Sequence, residues 1–113
     1  MKEINKELVA SSLTPLVMLI LNRQKSYGYE IIQQLKEKTA NKLDIAEGTL
    51  YPLLKKLEEK EWISSEWLKA ESGRERKYYA VTEKGQRELQ SQKSQWETIN
   101  NLMNQLWNQP SLT

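Results

Sequence analysis

Asp44-Ile45-Ala46-Glu47-Gly48-Thr49-Leu50-Tyr51-Pro52-Leu53-Leu54-Lys55-Lys56-Leu57 is the stretch on which the fold turns. Asp44 and Glu47 have the spacing of a capping box, in which each side chain satisfies a backbone N–H of a first helical turn. Ala46, Leu50, Leu53, Leu54 and Leu57 recur at helical spacing and form an inner face. Thr49, Tyr51, Pro52, Lys55 and Lys56 then fall on the exposed side. Pro52 deletes a ladder bond, and its ring strikes the carbonyl of residue 48. Residue 48 is Gly, with no side chain to hinder a local adjustment, so the stretch still predicts a helix.

Working outward, Ser26 is placed to cap a preceding helix over residues 27–39, with Ile31, Ile32 and Leu35 on one face. Ala40-Asn41-Lys42 is a short polar turn between the two helices. Earlier still lies an apolar region containing Leu8, Leu13, Leu16, Val17 and Leu21. Thr14-Pro15 within it reads as an N-cap followed by Pro at the first helical position. This predicts a short N-terminal helix, a break near Thr14, and a buried helix from Pro15 to about Asn22. Downstream, residues 62–68 and 76–81 are rich in aromatic and β-branched side chains, and the linker between them contains Gly73, as in a hairpin. Thr82 caps a long polar helix reaching about Asn108 and ended by Pro110, about 40 Å in length at 1.5 Å per residue.

Helix, helix, turn, helix, hairpin is the order of a winged helix-turn-helix. The expected fold is therefore mainly α with a β-hairpin wing, plus a long C-terminal dimerisation helix. Residues 1–81 form the winged domain and 82–113 the dimerisation arm. A helix of this kind fits the major groove of DNA, and a hairpin beside it brings cations to phosphate. Thr49 and Tyr51 stand near the helix start, where bases are met, while Lys55 and Lys56 suit phosphates. An ordinary solvated helix face would look the same. Arg74, Arg76 and Lys77 put three cations within four residues of the hairpin turn. Those cations suit a phosphate backbone, or a guard against edge-to-edge aggregation.

Composition limits the alternatives. The 113 residues contain no His and no Cys, which removes the commonest general base, thiolate nucleophiles and the usual zinc ligands. No paired-carboxylate spacing, phosphate-binding Gly loop or nucleophile elbow is present, so no enzyme, metal site or cofactor is expected. The formal charge is only +2, so a nucleic-acid reading must rest on where the charges sit. The apolar run from Leu16 to Leu21 is too short for a membrane span, and the mixed-charge N-terminus lacks a signal-peptide core. A cytoplasmic protein without membrane association is expected.

Four segments together are more specific: Tyr27-Gly28-Tyr29-Glu30-Ile31, Glu47 to Glu58, Gly73-Arg74-Glu75-Arg76-Lys77-Tyr78-Tyr79, and Val81-Thr82-Glu83-Lys84-Gly85. In order and spacing they resemble the signatures of PadR-family transcriptional regulators, over about residues 13–90. The resemblance implies a homodimer that binds a pseudo-palindromic operator in double-stranded DNA and represses transcription. By position it implies DNA-facing roles for Tyr27, Tyr29, Thr49, Tyr51, Lys55, Lys56, Arg74, Arg76 and Lys77. Pro52 matches a Pro of the family's third helix. Glu61-Trp62 departs from the family, which usually turns there through Gly into a small aliphatic residue. A protein-interaction module on the same scaffold, without a specific operator, is the alternative, because fold alone does not fix function.

The last helix carries Leu89, Trp96, Ile99, Met103 and Leu106 at heptad-like spacing, with Gln92 in the remaining seam position. A single winged domain cannot cover so long a seam, so it predicts a homodimer interface, joined by Leu8 and Leu13 of the first helix. Trp96 in mid-seam fits a large interface anchor. It also resembles the short, LmrR-like subgroup of the family, in which the equivalent helix carries a Trp that stacks on flat aromatic drugs. That resemblance implies a planar aromatic ligand that relieves repression.

Overall fold

The computed structural model describes residues 4–109. The first element is helix α1 (Lys6–Arg23), capped by the Asn5 side chain, which accepts from the backbone N–H groups of Glu7 and Leu8. The expected break at Thr14 is absent: α1 runs unbroken through Pro15. An internal proline costs about 3 kcal/mol. Against it, Leu13, Val17, Met18, Ile20 and Leu21 are all buried on the same helix, each worth roughly 1.5–3 kcal/mol. Burial on both sides of the proline holds the helix together.

Strand β1 (Ser26–Tyr27) and helix α2 (Gly28–Lys38) follow. Ser26 does not cap α2. It is a buried strand residue whose Oγ donates to the Gln24 carbonyl and accepts from Gln34 Nε2 at 3.1 Å. A turn with Ala40 and Asn41 at positive φ leads to α3 (Glu47–Glu59). The Asp44–Glu47 capping box does not form either. Ala46 is the N-cap, without a side-chain cap, and Asp44 instead pairs with Lys36 of α2 at 3.7 Å. The reason is tertiary. Leu43 is buried and Ile45 packs on the core, and side chains two apart share a face in extended chain but not in a helix. α3 passes through Pro52, whose position is exposed, as is that of Gly48 one turn earlier, so the carbonyl left without a ladder partner can be hydrated. Leu50, Leu54 and Leu57 are buried and Leu53 packs beside them; Ala46, expected on the inner face, is exposed.

Strands β2 (Ile63–Lys69) and β3 (Glu75–Val81) form the hairpin, and β1 adds to the far side of β3, giving an antiparallel sheet in the order β1-β3-β2. Helix α4 (Glu83–Trp107) leaves the sheet after Thr82. This residue caps α4 as expected, its Oγ1 accepting from the Gly85 N–H at 3.0 Å. The same hydroxyl donates to the Glu61 carbonyl at 2.6 Å, and the Thr82 N–H donates to the Trp62 carbonyl. Gly85 is buried where α4 presses on this turn; a Cβ there would lie 2.8 Å from Val81 Cγ1 and 2.9 Å from the Trp62 carbonyl carbon. Glu61 itself has φ 63°, the left-handed conformation that glycine adopts freely. The turn is thus kept without glycine, at some strain.

α4 belongs to the core at its start and leaves it after Leu89. Leu89 is 7% exposed and packs with α1 and the sheet. Beyond it the helix projects, and the molecule extends over 69 × 33 × 21 Å. The expected seam therefore needs two corrections: Leu13 and Leu89 are buried within their own chain. Leu8, Trp96, Ile99, Met103 and Leu106 are exposed. Pro110, expected to end α4, lies outside the described residues.

Candidate nucleic-acid interface

The start of α2, the start of α3 and the wing enclose a cleft of about 700 Å³. The helical wall, around the α2 start and α3, contributes Tyr27, Tyr29, Glu47 and Tyr51, and the hairpin Trp67, Arg74, Glu75, Arg76 and Lys77. Trp67 and Lys77 share one face of the hairpin, and Arg76 alternates to the other. Gly28 sets the shape of the helical wall. A Cβ on it would meet the Tyr51 ring, with Cζ at 2.6 Å, so the absence of a side chain at residue 28 is what lets the ring of Tyr51 on α3 lie this close to α2. Two segments far apart in sequence, Tyr27-Gly28-Tyr29 and Thr49-Leu50-Tyr51, are thus one packing unit.

The cations of the wing are held in three different ways. Arg76 lays its guanidinium over the Tyr27 ring at 4.2 Å, and Tyr27 meets Tyr78 edge-on with centroids 5.4 Å apart. This fixes the arginine at low entropic cost, since a planar cation over an aromatic face needs no further partner to stay ordered. Its Nε is buried and has no hydrogen-bond partner among the described residues. Arg74 is exposed in the turn and forms no ion pair among the described residues. Lys77 is different: its Nζ lies 3.8 Å from Glu58 Oε1 of α3. The other Glu58 oxygen accepts a short hydrogen bond from Ser65 Oγ on β2. Glu58 thereby ties α3 to both strands and neutralises a cation expected at phosphate. Tyr79, next to this pair, is raised above the usual tyrosine range by burial first, then by the negative charge of Glu58 and by Tyr51. Its phenol stays protonated.

Thr49, Lys55 and Lys56 are exposed on α3, as expected, but lie outside the cleft lining. They form the outer face of the same helix. Two members of the site have no counterpart in the sequence-level expectation. Glu58 reads in sequence as a surface charge, and only the packing of α3 on the hairpin reveals its partners. Trp67 stands directly across from Lys77 in the strand register and is 65% exposed. Strand alternation could have put it on one face, but the register that makes this the cleft face is tertiary. The combination of guanidinium groups, phenol hydroxyls and an open apolar ring can bind a polyanion whose phosphates alternate with apolar sugar. Among the described residues no group of three His, Cys, Asp or Glu side chains is arranged to hold a metal ion, and no helix is long and apolar enough to cross a membrane.

Comparison with known proteins gives the same direction. A family model described as "Transcriptional regulator PadR-like family" matches residues 17–91. The chain is similar to a PadR family transcriptional regulator from Eggerthella lenta, at 34% identity and a TM-score of 0.74, over 89% of this chain and 82% of that one. A PadR family transcription regulator from Clostridium difficile is also 34% identical, with a TM-score of 0.76, over 86% and 99% of the two chains. A PadR-like transcriptional regulator from Bacillus cereus superposes with a TM-score of 0.81 at 26% identity, over 93% and 100%. The matched span holds both walls of the cleft and the start of α4. The chain belongs to the PadR-like family of transcriptional regulators, and it is a regulator rather than an enzyme.

Proposed function

We propose that this protein is a cytoplasmic, homodimeric, sequence-specific DNA-binding repressor that recognises a pseudo-palindromic operator and is released by a planar aromatic ligand. The observation that carries the reading is the cleft, where Arg74 and Arg76 of the wing and Tyr29 and Tyr51 of the helical wall converge. α3 enters the major groove with Thr49 and Tyr51 toward the bases, and Lys55 and Lys56 neutralise flanking phosphates. Arg74 and Arg76 hold the backbone beside it. Tyr27 acts by positioning Arg76, and Lys77 contributes less while Glu58 neutralises it.

The exposed stripe of Trp96, Ile99, Met103 and Leu106, with Leu8 of α1, is the dimer surface in this reading. Residues 82–113 then serve as the dimerisation arm, with the turns up to Leu89 anchored in the winged domain. A two-fold dimer spaces the recognition helices about one DNA turn apart, roughly 34 Å. Trp96 is large, flat and half-exposed in the middle of the stripe, which suits stacking by an aromatic ligand between protomers.

Fluorescence anisotropy with the chain's own promoter fragment tests the DNA reading. Binding should be tight, salt-sensitive and stronger than to random duplex at about 0.15 M salt. The R74A/R76A variant should weaken binding to every sequence and flatten the dependence of log affinity on log salt by about 0.9 for each phosphate no longer neutralised. No preference over random duplex, together with a protein partner captured in the absence of DNA, would favour the interaction module instead. Quenching of Trp fluorescence by planar cationic dyes, absent in W96A, tests the ligand site.

A further inference from the structure

The geometry points to Trp67 as a DNA-contacting residue of the wing: its indole covers the deoxyribose of the backbone strand seated between α3 and the hairpin. This rests on the DNA reading above and adds to it a residue that neither charge nor motif singles out. Trp67 lies on β2 opposite Lys77, so both project from the same face of the sheet. On that face Ser65 and Tyr79 are covered by α3 through Glu58 and the end of the core. Trp67 lies nearer the hairpin turn, and its ring borders the cleft instead.

An indole left 65% exposed in an ordered strand forgoes burial that the three-stranded sheet could otherwise have supplied. Its neighbours say what covers it. Lys77 shares its face of the sheet, and Arg74 stands in the turn beyond it. Arg76 leaves from the opposite face to lie on Tyr27 at the edge of the same cleft, whose lining also includes Tyr29, Tyr51, Glu47 and Glu75. Lys77 already has Glu58, and Glu47 and Glu75 also line the cleft. Arg74, however, forms no ion pair and the buried Nε of Arg76 has no hydrogen-bond partner among the described residues. An apolar protein partner would desolvate these guanidinium groups and supply no counter-charge. A nucleic-acid backbone satisfies both classes of group at once. Its phosphates take the guanidinium groups, and its sugars present C–H faces to the ring. A recognition helix in the major groove and a wing in the neighbouring minor groove straddle one such backbone, and the cleft lies between them. The contact is with sugar, so it is independent of both sequence and salt. In this it differs from the contacts of Arg74 and Arg76.

The test uses full-length protein and a labelled duplex of mixed sequence at about 50 mM salt, with the promoter fragment in parallel. W67A should bind both duplexes about tenfold more weakly, the effect of leaving some 50–60 Å² of indole uncovered, with the salt slope of wild type. W67F should recover most of the deficit. In wild type, DNA should shield indole emission from acrylamide, and the shielded component should be missing in W67F. Because the shielded component is assigned through W67F, which keeps an aromatic ring on the strand, it decides the matter even if W67A folds poorly. Wild-type DNA binding with unshielded emission and an unchanged W67A affinity would overturn the assignment while leaving the regulator intact. Wild type that binds neither duplex would overturn the DNA reading itself.

Discussion

The cleft and the outer half of α4 both expose aromatic and apolar side chains, yet their surroundings differ. In the cleft, Tyr29, Tyr51 and Trp67 share the lining with Arg74, Arg76 and Lys77 and with the carboxylates Glu47 and Glu75, and contacts within the chain shape it: Gly28 against Tyr51, Tyr27 under Arg76, Glu58 across to Ser65 and Lys77. On α4, Trp96, Ile99, Met103 and Leu106 lie among Gln, Ser, Thr and Asn with one exposed Lys93–Glu97 pair, on a helix that projects clear of its own domain. Apolar groups set among cations suit a polyanion. Apolar groups at heptad spacing, with no net charge beside them, suit another helix. An exposed tryptophan is therefore uninformative until its neighbours are known.

The largest expected effect separates the two regions. I99D/M103D should leave the far-UV spectrum of the winged domain intact but yield monomers in sedimentation equilibrium. Operator affinity should then fall by about 10²–10⁴, since the second half-site no longer binds intramolecularly. A variant that stays dimeric would remove α4 from the interface.

Next, G28A should drive the half-exposed Tyr51 ring from its seat, costing under about 1 kcal/mol in denaturant unfolding because the ring can swing toward solvent, and about tenfold in DNA affinity. The double mutant G28A/Y51A should bind DNA no more weakly than Y51A alone, a coupling of about 1 kcal/mol in binding. Additive effects would mean that the two residues do not form one unit.

E58Q tests whether the cleft contains a cation in reserve. The Lys77–Glu58 side chains are 39% and 36% exposed, so their attraction contributes only about 0.2–1 kcal/mol, and stability should drop little. DNA binding should tighten a few-fold, with a salt slope steeper by up to about 0.9 per protomer as Lys77 is released. An unchanged slope would show that Lys77 does not reach phosphate. Smallest of all, E61G should relieve the left-handed strain at residue 61, stabilising by about 1 kcal/mol, or roughly 4 °C in Tm. DNA affinity should not change.

Much of this was legible in the chain because it depends on local chemistry. The Leu50/Leu54/Leu57 stripe, the hairpin around Gly73, and the Thr82 cap each follow from periodicity or from a residue's own hydrogen-bonding capacity. The expected break at Pro15 and the caps at Ser26 and Asp44 were wrong for one shared reason. Each weighed a local preference of about 1–3 kcal/mol, while burial of Leu13 and Val17, of Ser26, and of Leu43 weighed against it.

The sequence by itself determined the order of elements, the exposed face of α3, the cationic hairpin and the apolar spacing of α4, since each is written in neighbouring residues. Tertiary structure alone decided which of those residues act together. It placed Gly28 beneath Tyr51, Arg76 on Tyr27 and Glu58 on Lys77, drew Leu13 and Leu89 into the core, and left Trp67 open across from Lys77 at the cleft. These are pairings across turns and strand registers, and a chain specifies them only through the balance of all its buried surface.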